Sequence, residues 1–468
     1  GSEMCIRDRF VEKLDYPEVR PLIEALLERL DAMCAVGLGY LDLNRTTPSL
    51  SGGESQRLKM VRHLGSSLTG IVYIIDEPST GLHPADIVKL NVLIGKLRDK
   101  GNTILMVEHD PDMIAIAEHI IDLGPGAGKQ GGNIVFEGDL SALKQSQTLT
   151  GRYFSSRAEI NKKPRCAKGY ISVRNATLHN LHNLSVDVPL SVMVAVTGVA
   201  GSGKSSFVMG ALAPQCPEAI VIDQKPIHTS IRSHIASWCG AFDTIRSLFA
   251  EKNQVSASWF SANAKGACPE CNGLGVIQTD LAFMDTVTLP CEACQGQRYN
   301  PQALKYRYQG KSIAEVLSLS INDACEFFLN EPQLRPIFRS LVEVGLGYLR
   351  LGESLNHLSG GECQRLKLAS QLNHDSDMYI FDEPTTGLHP SDVASLLKLF
   401  NRLVARGNTV IIIEHNMELI AQADWIIDIG PYAGKEGGEL LFSGTPESML
   451  ACRHSLTAEW LRKHCRME

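Results

Sequence analysis

The sequence has no long apolar run and no excess of positive charge. Its longest apolar stretches, such as Ile71–Ile75 and Val410–Ile413, are strand-sized, well short of the roughly 18 residues that cross a membrane. Lysine and arginine number 45 against 52 aspartates and glutamates, which gives a net charge of −7. Neither a membrane span nor a polycation is therefore expected, and any nucleic-acid contact must come from local basic patches.

No secretory signal pattern is present, although the chain has thirteen cysteines. That combination predicts a protein of the reducing cytoplasm and favours metal binding over disulfides as the role of the cysteines. Four of the cysteines form two C-x-x-C pairs, Cys268/Cys271 and Cys291/Cys294, with 19 residues between the pairs. This spacing is typical of a four-cysteine Zn²⁺ site. Four thiolates would close the coordination shell, so a structural zinc is predicted rather than a catalytic one, and a thioredoxin-type redox pair is disfavoured.

Two halves of the chain repeat each other at an offset of 306 to 308 residues. The matched segments are LSGGESQRLK from Leu50 with LSGGECQRLK from Leu358, Tyr73–Pro84 with Tyr379–Pro390, Gly101–Asp110 with Gly407–Asn416, and Ile120–Gly132 with Ile426–Gly438. A repeat of this length predicts two duplicated domains rather than a chance likeness.

The second half alone contains a phosphate-binding loop. Residues 198–206 read GVAGSGKSS after the apolar run Val192–Val196, which fits G-x-x-x-x-G-K-S at the end of a strand. In this interpretation Lys204 contacts the β- and γ-phosphates of ATP and Ser205 binds Mg²⁺. The nucleotide-binding residues of the loop are Gly198, Gly201, Ser202, Gly203, Lys204, Ser205 and Ser206.

The equivalent of Lys204 in the first half would fall before residue 1. We therefore expect the chain to be the C-terminal part of a longer protein. The superficially similar run GPGAGK, Gly124–Lys129, is one residue short and is followed by Gln130 instead of serine or threonine. We interpret it as a glycine-rich turn between short strands.

Ser51–Glu54 and Ser359–Glu362 each place Ser-x-x-Glu before an apolar-periodic helix. One such motif alone is a capping box. Repeated with the same flanking residues, the motif resembles the signature of ABC-type ATPases, in which the signature of one half completes the ATP site of the other. Two glycines at a helix N-terminus suit this role, because they form an anion site for the γ-phosphate.

The same resemblance assigns roles to further residues. Asp382 would support Mg²⁺ through water, Glu383 would polarise the attacking water, and His415 would sense the γ-phosphate. Gln224 would contact metal and water. One composite site is expected, in which these residues and the loop meet the signature Ser51, Gly52, Gly53 and Glu54. The orphan half-site consists of Asp76, Glu77, His109, Ser359, Gly360, Gly361 and Glu362.

Apolar β-branched runs that end in these functional groups predict an α/β fold with mostly parallel sheets. The expected architecture is tandem ABC-type ATPase domains with helical signature subdomains and a zinc-binding hairpin insertion. We assign residues 1–147 to the first half, 148–168 to a linker and 169–468 to the second half, with the signature subdomain at 207–360 and the zinc module at about 260–300. The polar, basic linker is interpreted as a solvated tether, with a DNA-touching strap as the alternative.

The tandem ABC halves and the CxxC hairpin together resemble the UvrA family of excinuclease ATPases over nearly the whole chain. The sequence 266–289 is more similar to the shorter paralogues of that family. The resemblance implies an ATP-driven homodimer that grips double-stranded DNA and checks it for bulky lesions in nucleotide excision repair, with a UvrB-like helicase as a partner. The alternative is a UvrA-like ATPase for resistance to DNA-binding drugs without nuclease recruitment. The cysteine module disfavours an ATPase component of a transporter.

DNA contacts are expected to be salt-sensitive and largely independent of base sequence, because no base-reading helix motif is present. The segment Asn272–Pro290 has no lysine or arginine, which disfavours phosphate contact by its tip at Phe283 and Met284. The basic residues of the linker are Arg152, Arg157, Lys162, Lys163, Arg165 and Lys168. The candidate phosphate-binding residues are the first five of these, together with Arg298, Lys305, Arg307 and Lys311 beyond the cysteines.

Overall fold

The computed structural model describes residues 20–39, 41–46, 52–64, 69–126, 131–155, 159–223, 227, 230, 232–281, 284–372 and 376–465. The chain divides into a larger unit, Gly1–Pro125, Gly131–Asp223 and Ser376–Glu468, and a smaller unit, Gly126–Gln130 and Gln224–Asp375. Within the described ranges, none of the helices combines the length and the apolar character that crossing a bilayer requires.

The strands in chain order are β1 (Val72–Asp76), β2 (Thr103–Val107), β3 (Ile120–Gly124), β4 (Asn133–Gly138), β5 (Tyr170–Ala176), β6 (Leu184–Pro189), β7 (Met193–Thr197), β8 (Ile220–Ile222), β9 (Val276–Leu281), β10 (Met284–Pro290), β11 (Met378–Asp382), β12 (Thr409–Ile413), β13 (Trp425–Gly430) and β14 (Glu439–Gly444).

The α-helices in chain order are α1 (Arg20–Ala35), α2 (Gly52–Leu64), α3 (Pro84–Asp99), α4 (Pro111–Ile114), α5 (Leu140–Gln145), α6 (Leu149–Ser155), α7 (Ile235–Trp238), α8 (Ala241–Asn253), α9 (Ile313–Leu317), α10 (Ile321–Phe327), α11 (Arg335–Glu343), α12 (Gly360–Gln371), α13 (Pro390–Ala405), α14 (Met417–Gln422), α15 (Pro446–Met449) and α16 (Leu456–Cys465). A π-helical segment, Ser206–Leu212, follows the phosphate loop.

The second half forms a six-stranded sheet in the order β14-β13-β7-β12-β11-β8. All neighbouring strands run parallel except the antiparallel pair β13–β14. Strand β7 lies between β12 and β13 and is buried along its whole length. A parallel sheet that is covered on both faces has continuous apolar strands, which explains runs such as Val410–Ile413. The predicted α/β class with a mostly parallel sheet is confirmed.

The first half repeats part of this sheet as two small sheets, the parallel pair β1–β2 and the antiparallel pair β3–β4. Within the described residues, no strand equivalent to β7 joins β2 to β3. Apolar side chains that are buried in the second half are exposed at the equivalent positions of the first half. Ile74 is 72% exposed while its equivalent Ile380 is 0% exposed, and Leu123 is 65% exposed while Ile429 is 0%.

The main segment of the smaller unit, Gln224–Asp375, is shifted towards the C-terminus relative to the signature subdomain predicted at 207–360. Phe207, Val208 and Leu212 pack in the core of the six-stranded sheet, so the chain stays in the larger unit until residue 223. At the other end the helix α12 belongs to the smaller unit. The predicted hairpin after the first cysteine pair is present as β9 and β10, and its tip residue Phe283 lies outside the described residues.

The segment 148–168 is not a solvated tether throughout. Residues 149–155 form helix α6, and the Asn161 N–H donates to the Ala421 carbonyl at 2.8 Å. The backbone N–H and the guanidinium of Arg165 both donate to Asp424, whose side chain is only 2% exposed. The polar composition of the segment did not predict these hydrogen bonds, because their acceptors lie about 260 residues away in the sequence.

Candidate active site and metal centre

The phosphate loop turns sharply at glycines where a side chain would not fit. Gly198 has φ +136°, and a Cβ there would lie 2.0 Å from the Ile429 carbonyl oxygen. Gly201 and Gly203 also have positive φ, a region that glycine enters without steric cost. The buried Ser202 hydroxyl has no hydrogen-bond partner among the described residues. Backbone N–H groups in such a turn form a cradle for an anion.

Lys204 lies at the centre of this loop. Its ammonium donates to the carbonyls of Gly198 at 3.0 Å and Val199 at 2.9 Å and is buried. Burial lowers the pKa of Lys204, while the nearby carboxylates of Glu383 and Asp382 oppose that shift. A desolvated ammonium in this position can exchange neutral carbonyl acceptors for phosphate oxygens, which form stronger charge-assisted bonds.

Asp382 ends strand β11 and Glu383 follows it at the same sheet edge. Burial, reinforced by Glu383, raises the pKa of Asp382 to about 7 against the opposing charge of Lys204. Glu383 has φ +48°, and its equivalent Glu77 has φ +43°. Such a conformation costs a non-glycine residue on the order of 1–3 kcal/mol. Both copies of the repeat keep it, so the direction of this carboxylate is tightly constrained.

Each strained glutamate faces a histidine of its own half. The His415 Nε2 lies 3.6 Å from the Glu383 Oε1, and the His109 Nε2 lies 3.6 Å from the Glu77 Oε1. The side chain of His415 is 8% exposed and that of His109 is 37% exposed. Burial and the charge of Lys204 lower the pKa of His415, with Glu383 opposing. The neutral ring is thus favoured in the second half.

The sequence-based assignment missed Glu108 and Glu414, which precede these histidines. The buried Glu414 accepts hydrogen bonds from the backbone N–H groups of Thr385, His415 and Asn416 and from the Thr385 hydroxyl. Glu108 accepts the equivalent set from Ser79, His109 and Asp110. Through these hydrogen bonds, each carboxylate links the loop that follows the Asp-Glu pair of its half to the segment that carries the histidine. The Glu-His pair, which occurs in both halves, was the sequence signal that could have identified these two carboxylates.

The two halves meet through these same loops. A Cβ on Gly81 would lie 3.0 Å from the Glu383 Oε2, and one on Gly387 would lie 3.2 Å from the Glu77 Oε2. A cavity of about 370 Å³ lies between the loops and includes both glutamates and both histidines in its lining. Each half therefore places a glycine against the glutamate of the other.

The signature residues and Gln224 are only partly described. Ser51 and Gln224 lie outside the described residues. Gly52 and Gly53 begin helix α2, and the buried Glu54 lies 3.5 Å from Arg45.

In the second signature, Ser359 and Glu362 form a capping box on helix α12. The Glu362 N–H donates to the Ser359 Oγ at 3.3 Å, and the Ser359 N–H donates to the Glu362 Oε2 at 2.8 Å. Gly360 and Gly361 begin this helix, as Gly52 and Gly53 begin α2. In the first half, Asp76 ends β1 as Asp382 ends β11.

The four predicted cysteines form one buried cluster in the smaller unit. Their sulfurs all lie within 4.8 Å of one another, and the Sγ atoms of Cys271 and Cys294 are 3.7 Å apart. A tetrahedron with Zn–S bonds of about 2.3 Å has edges of about 3.8 Å, so the donor set fits zinc. The Gly275 N–H donates to the Cys271 sulfur at 3.2 Å. Although burial opposes it, this bond and the neighbouring thiols lower the pKa of Cys271 to about 7.

The predicted basic residues divide into engaged and exposed groups. Arg165 is held by Asp424, and Arg307 pairs with Glu315. Burial lowers the pKa of Arg298, which is half-buried. Arg152 donates to the Gln147 carbonyl from an exposed position, and Arg157 lies outside the described residues. The exposed lysines are Lys162, Lys163, Lys168 and Lys305, and Lys311 is partly exposed.

Comparison with known proteins shows similarity to an ABC transporter family profile and to UvrABC system protein A. The ABC transporter family profile matches residues 181–386. UvrABC system protein A of Aquifex aeolicus (strain VF5) is 43% identical over 504 aligned residues, which cover all of this chain and 53% of that protein. UvrABC system protein A of Staphylococcus aureus (strain COL) is 42% identical, with 96% of this chain and 51% of that protein covered.

Among solved structures, UvrA2 from Deinococcus radiodurans superposes with a TM-score of 0.90 at 42% identity. The alignment covers 97% of this chain and 60% of UvrA2. The chain spans about half the length of the curated relatives that it matches.

Proposed function

This chain belongs to the UvrABC system protein A family, and on that premise we propose that it hydrolyses ATP at one composite site and couples hydrolysis to the binding of distorted double-stranded DNA. The proposal is carried by the meeting of Lys204, Asp382, Glu383 and His415 at one sheet edge. The twelve cysteines that the structure describes are all free, and a cytoplasmic location is part of the same proposal.

The geometry supports a specific division of labour. The loop amides and Lys204 hold the β- and γ-phosphates, and the hard oxygens of Ser205 and Asp382 suit Mg²⁺, which would draw charge from the phosphates. Glu383 accepts the proton of a water molecule. The water oxygen attacks the γ-phosphorus while the bond between the γ-phosphorus and the oxygen that bridges it to the β-phosphate breaks. The products are ADP and inorganic phosphate. His415 holds Glu383 and the γ-phosphate in place. Gln224 and the signature Ser51–Glu54 are assigned to the same site from their sequence motifs alone.

One nucleotide site per chain is expected, because only one phosphate loop is present in the sequence. Titration with a non-hydrolysable ATP analogue, followed by calorimetry, should saturate at one equivalent, and Lys204→Ala should abolish the signal. Saturation at two equivalents would mean that Gly124–Lys129 is a second phosphate loop and that our interpretation of it as a turn is wrong.

The cysteine cluster is proposed to hold one structural Zn²⁺. The buried sulfurs and their tetrahedral spacing support this assignment, and four thiolates would leave no open coordination position. The metal would fix the base of the β9–β10 hairpin.

DNA binding should be electrostatic and largely independent of base sequence. Each neutralised phosphate should contribute about −0.9 to the slope of log affinity against log salt. Replacing Lys162 and Lys163 with alanine should therefore reduce the magnitude of the slope by about 2. A salt titration with fluorescent duplexes, with and without a bulky adduct, measures this, and Lys96→Ala on helix α3 is the matched exposed control. Affinity that does not change with salt would remove DNA as the partner.

A homodimer and a UvrB-like helicase partner are part of the same proposal. The alternative is a UvrA-like ATPase for resistance to DNA-binding drugs without nuclease recruitment. The absence of lysine and arginine from Asn272–Pro290 favours that alternative, because a repair sensor would gain phosphate contacts there. Equal affinity for intact and adducted duplexes, together with binding of the drug itself, would support it.

A further inference from the structure

Two matching hydrogen-bonded groups cross between the halves in the larger unit. The His83 Nε2 lies 3.3 Å from the Thr457 Oγ1, and the Thr457 hydroxyl donates to the Asp428 Oδ1 at 3.0 Å. The second group is the counterpart of the first at an offset of 306 or 307 residues. It consists of His389, whose Nε2 lies 3.2 Å from the Thr150 Oγ1, and Asp122, which accepts from Thr150 at 3.1 Å. Each histidine is thus bound by side chains of the other copy.

The hydrogen-bond pattern fixes the ring of His83. Because the single Thr457 hydroxyl proton goes to Asp428, the Thr457 oxygen must accept from His83, so the proton of the ring lies on Nε2. The His83 Nδ1 accepts from the Ala85 N–H at 3.2 Å, which satisfies the second nitrogen. The ring is fully buried, and burial lowers its pKa well below the usual value for histidine. His83 is therefore a neutral ring with a single orientation.

This fixed ring lies against the hydrolysis site of the second half. The rings of His83 and His415 are 6.0 Å apart at 82°, in an edge-to-face arrangement. His415 in turn faces Glu383 at 3.6 Å. The Thr457 Oγ1 also lies 3.5 Å from the hydroxyl of Thr197, the residue immediately before the phosphate loop.

We propose that His83, held by Thr457 and Asp428, is a positioning residue that sets His415 against Glu383 and so makes hydrolysis in the second half depend on the loop of the first. His389, Thr150 and Asp122 form the corresponding group in the opposite half, where the ring centroids of His389 and His109 are 6.4 Å apart. The inference rests on the proposed ATPase function. It adds His83, Thr457 and Asp428, which act through His415 and Glu383, the residues assigned to the hydrolysis step.

The test is Thr457→Val, which keeps the shape of the side chain and removes the hydroxyl. Misplacing a reacting group by about 1 Å costs roughly a hundredfold in rate, so we expect kcat to fall about 10- to 100-fold. Binding of a non-hydrolysable ATP analogue should stay close to wild type, because Lys204 is untouched. Thr457→Ser, which restores the hydroxyl, should recover most of the activity. Thr150→Val, the equivalent change at the other group, should lower kcat far less in this chain.

A readout that does not depend on turnover completes the design. In ¹H–¹⁵N spectra of the wild-type imidazoles, His83, assigned with His83→Gln, should show a protected Nε2–H signal that Thr457→Val loses. A wild-type rate in folded Thr457→Val, a loss of kcat that tracks a loss of nucleotide affinity, or a His83 proton on Nδ1 would each overturn the inference. Failure of the proposed ATPase function is distinguished because it would appear in the wild-type chain, which would then neither bind nor hydrolyse ATP.

Discussion

Glu383→Gln is expected to slow ATP turnover by roughly 10²–10⁴-fold, the usual contribution of a positioned general base. The amide has the shape of the carboxylate and keeps its contacts, but it cannot take up the proton of the attacking water. Nucleotide binding should persist, because it depends on Lys204 and the loop amides. Single-turnover hydrolysis and analogue affinity, measured on the same preparation, separate the two effects.

Glu77→Gln is the matched control for this change. Glu77 has the same left-handed backbone, the same 3.6 Å contact to a histidine and the same neighbouring loop from the other half. The described residues of its own copy include no phosphate loop, so most of the turnover should remain. A wild-type rate in Glu383→Gln would show that the assigned role is wrong. Equal losses in both variants would mean that the effect comes from removing a negative charge where the two halves meet. It would then not come from the loss of proton transfer.

The sequence predicted the strands and their functional ends well because parallel strands in a covered sheet are continuously apolar. Val410–Ile413 and the strand before Gly198 needed no tertiary information to be recognised. The four cysteines and the hairpin between them were equally local signals, since spacing and alternation are visible in a short window.

Contacts between distant segments could not be predicted in this way. Nothing local in the sequence shows that His83 binds Thr457, 374 residues away, or that Arg165 binds Asp424. The buried carboxylates Glu108 and Glu414 were missed for a related reason. A carboxylate beside a histidine has the same sequence pattern whether it meets a nucleotide or, as here, the N–H groups of a neighbouring loop.

The repeat is most informative where the sheets of the two copies differ. The same apolar positions are buried in one copy and exposed in the other, as with Ile380 and Ile74. The contact between the strained glutamate and its histidine is nevertheless the same in both copies, with 3.6 Å from Glu383 Oε1 to His415 Nε2 and 3.6 Å from Glu77 Oε1 to His109 Nε2. This contact therefore depends less on the burial of the surrounding strands than the packing of Ile380 does.

Cys291→Ser is expected to release the metal from the smaller unit and to unfold the hairpin module locally. Structural zinc sites in small peptides have binding free energies on the order of 10–16 kcal/mol, and losing one of four thiolates forfeits part of that. Cys291 is fully buried among the other three cysteines, so the serine hydroxyl would also lie in a site built for sulfur. The larger unit has its own core and should stay folded.

Elemental analysis of protein purified without chelator should find one zinc per chain in the wild type and much less in Cys291→Ser. Hydrogen exchange should then rise over about residues 260–300 and not in the six-stranded sheet, since local opening is confined to the unit whose contacts are lost. Cys325→Ser is the matched control, because Cys325 lies in the same unit outside the cluster and its loss should leave the zinc content unchanged. Wild-type protein without zinc would contradict the assignment, and full zinc retention in Cys291→Ser would show that this sulfur is not a ligand.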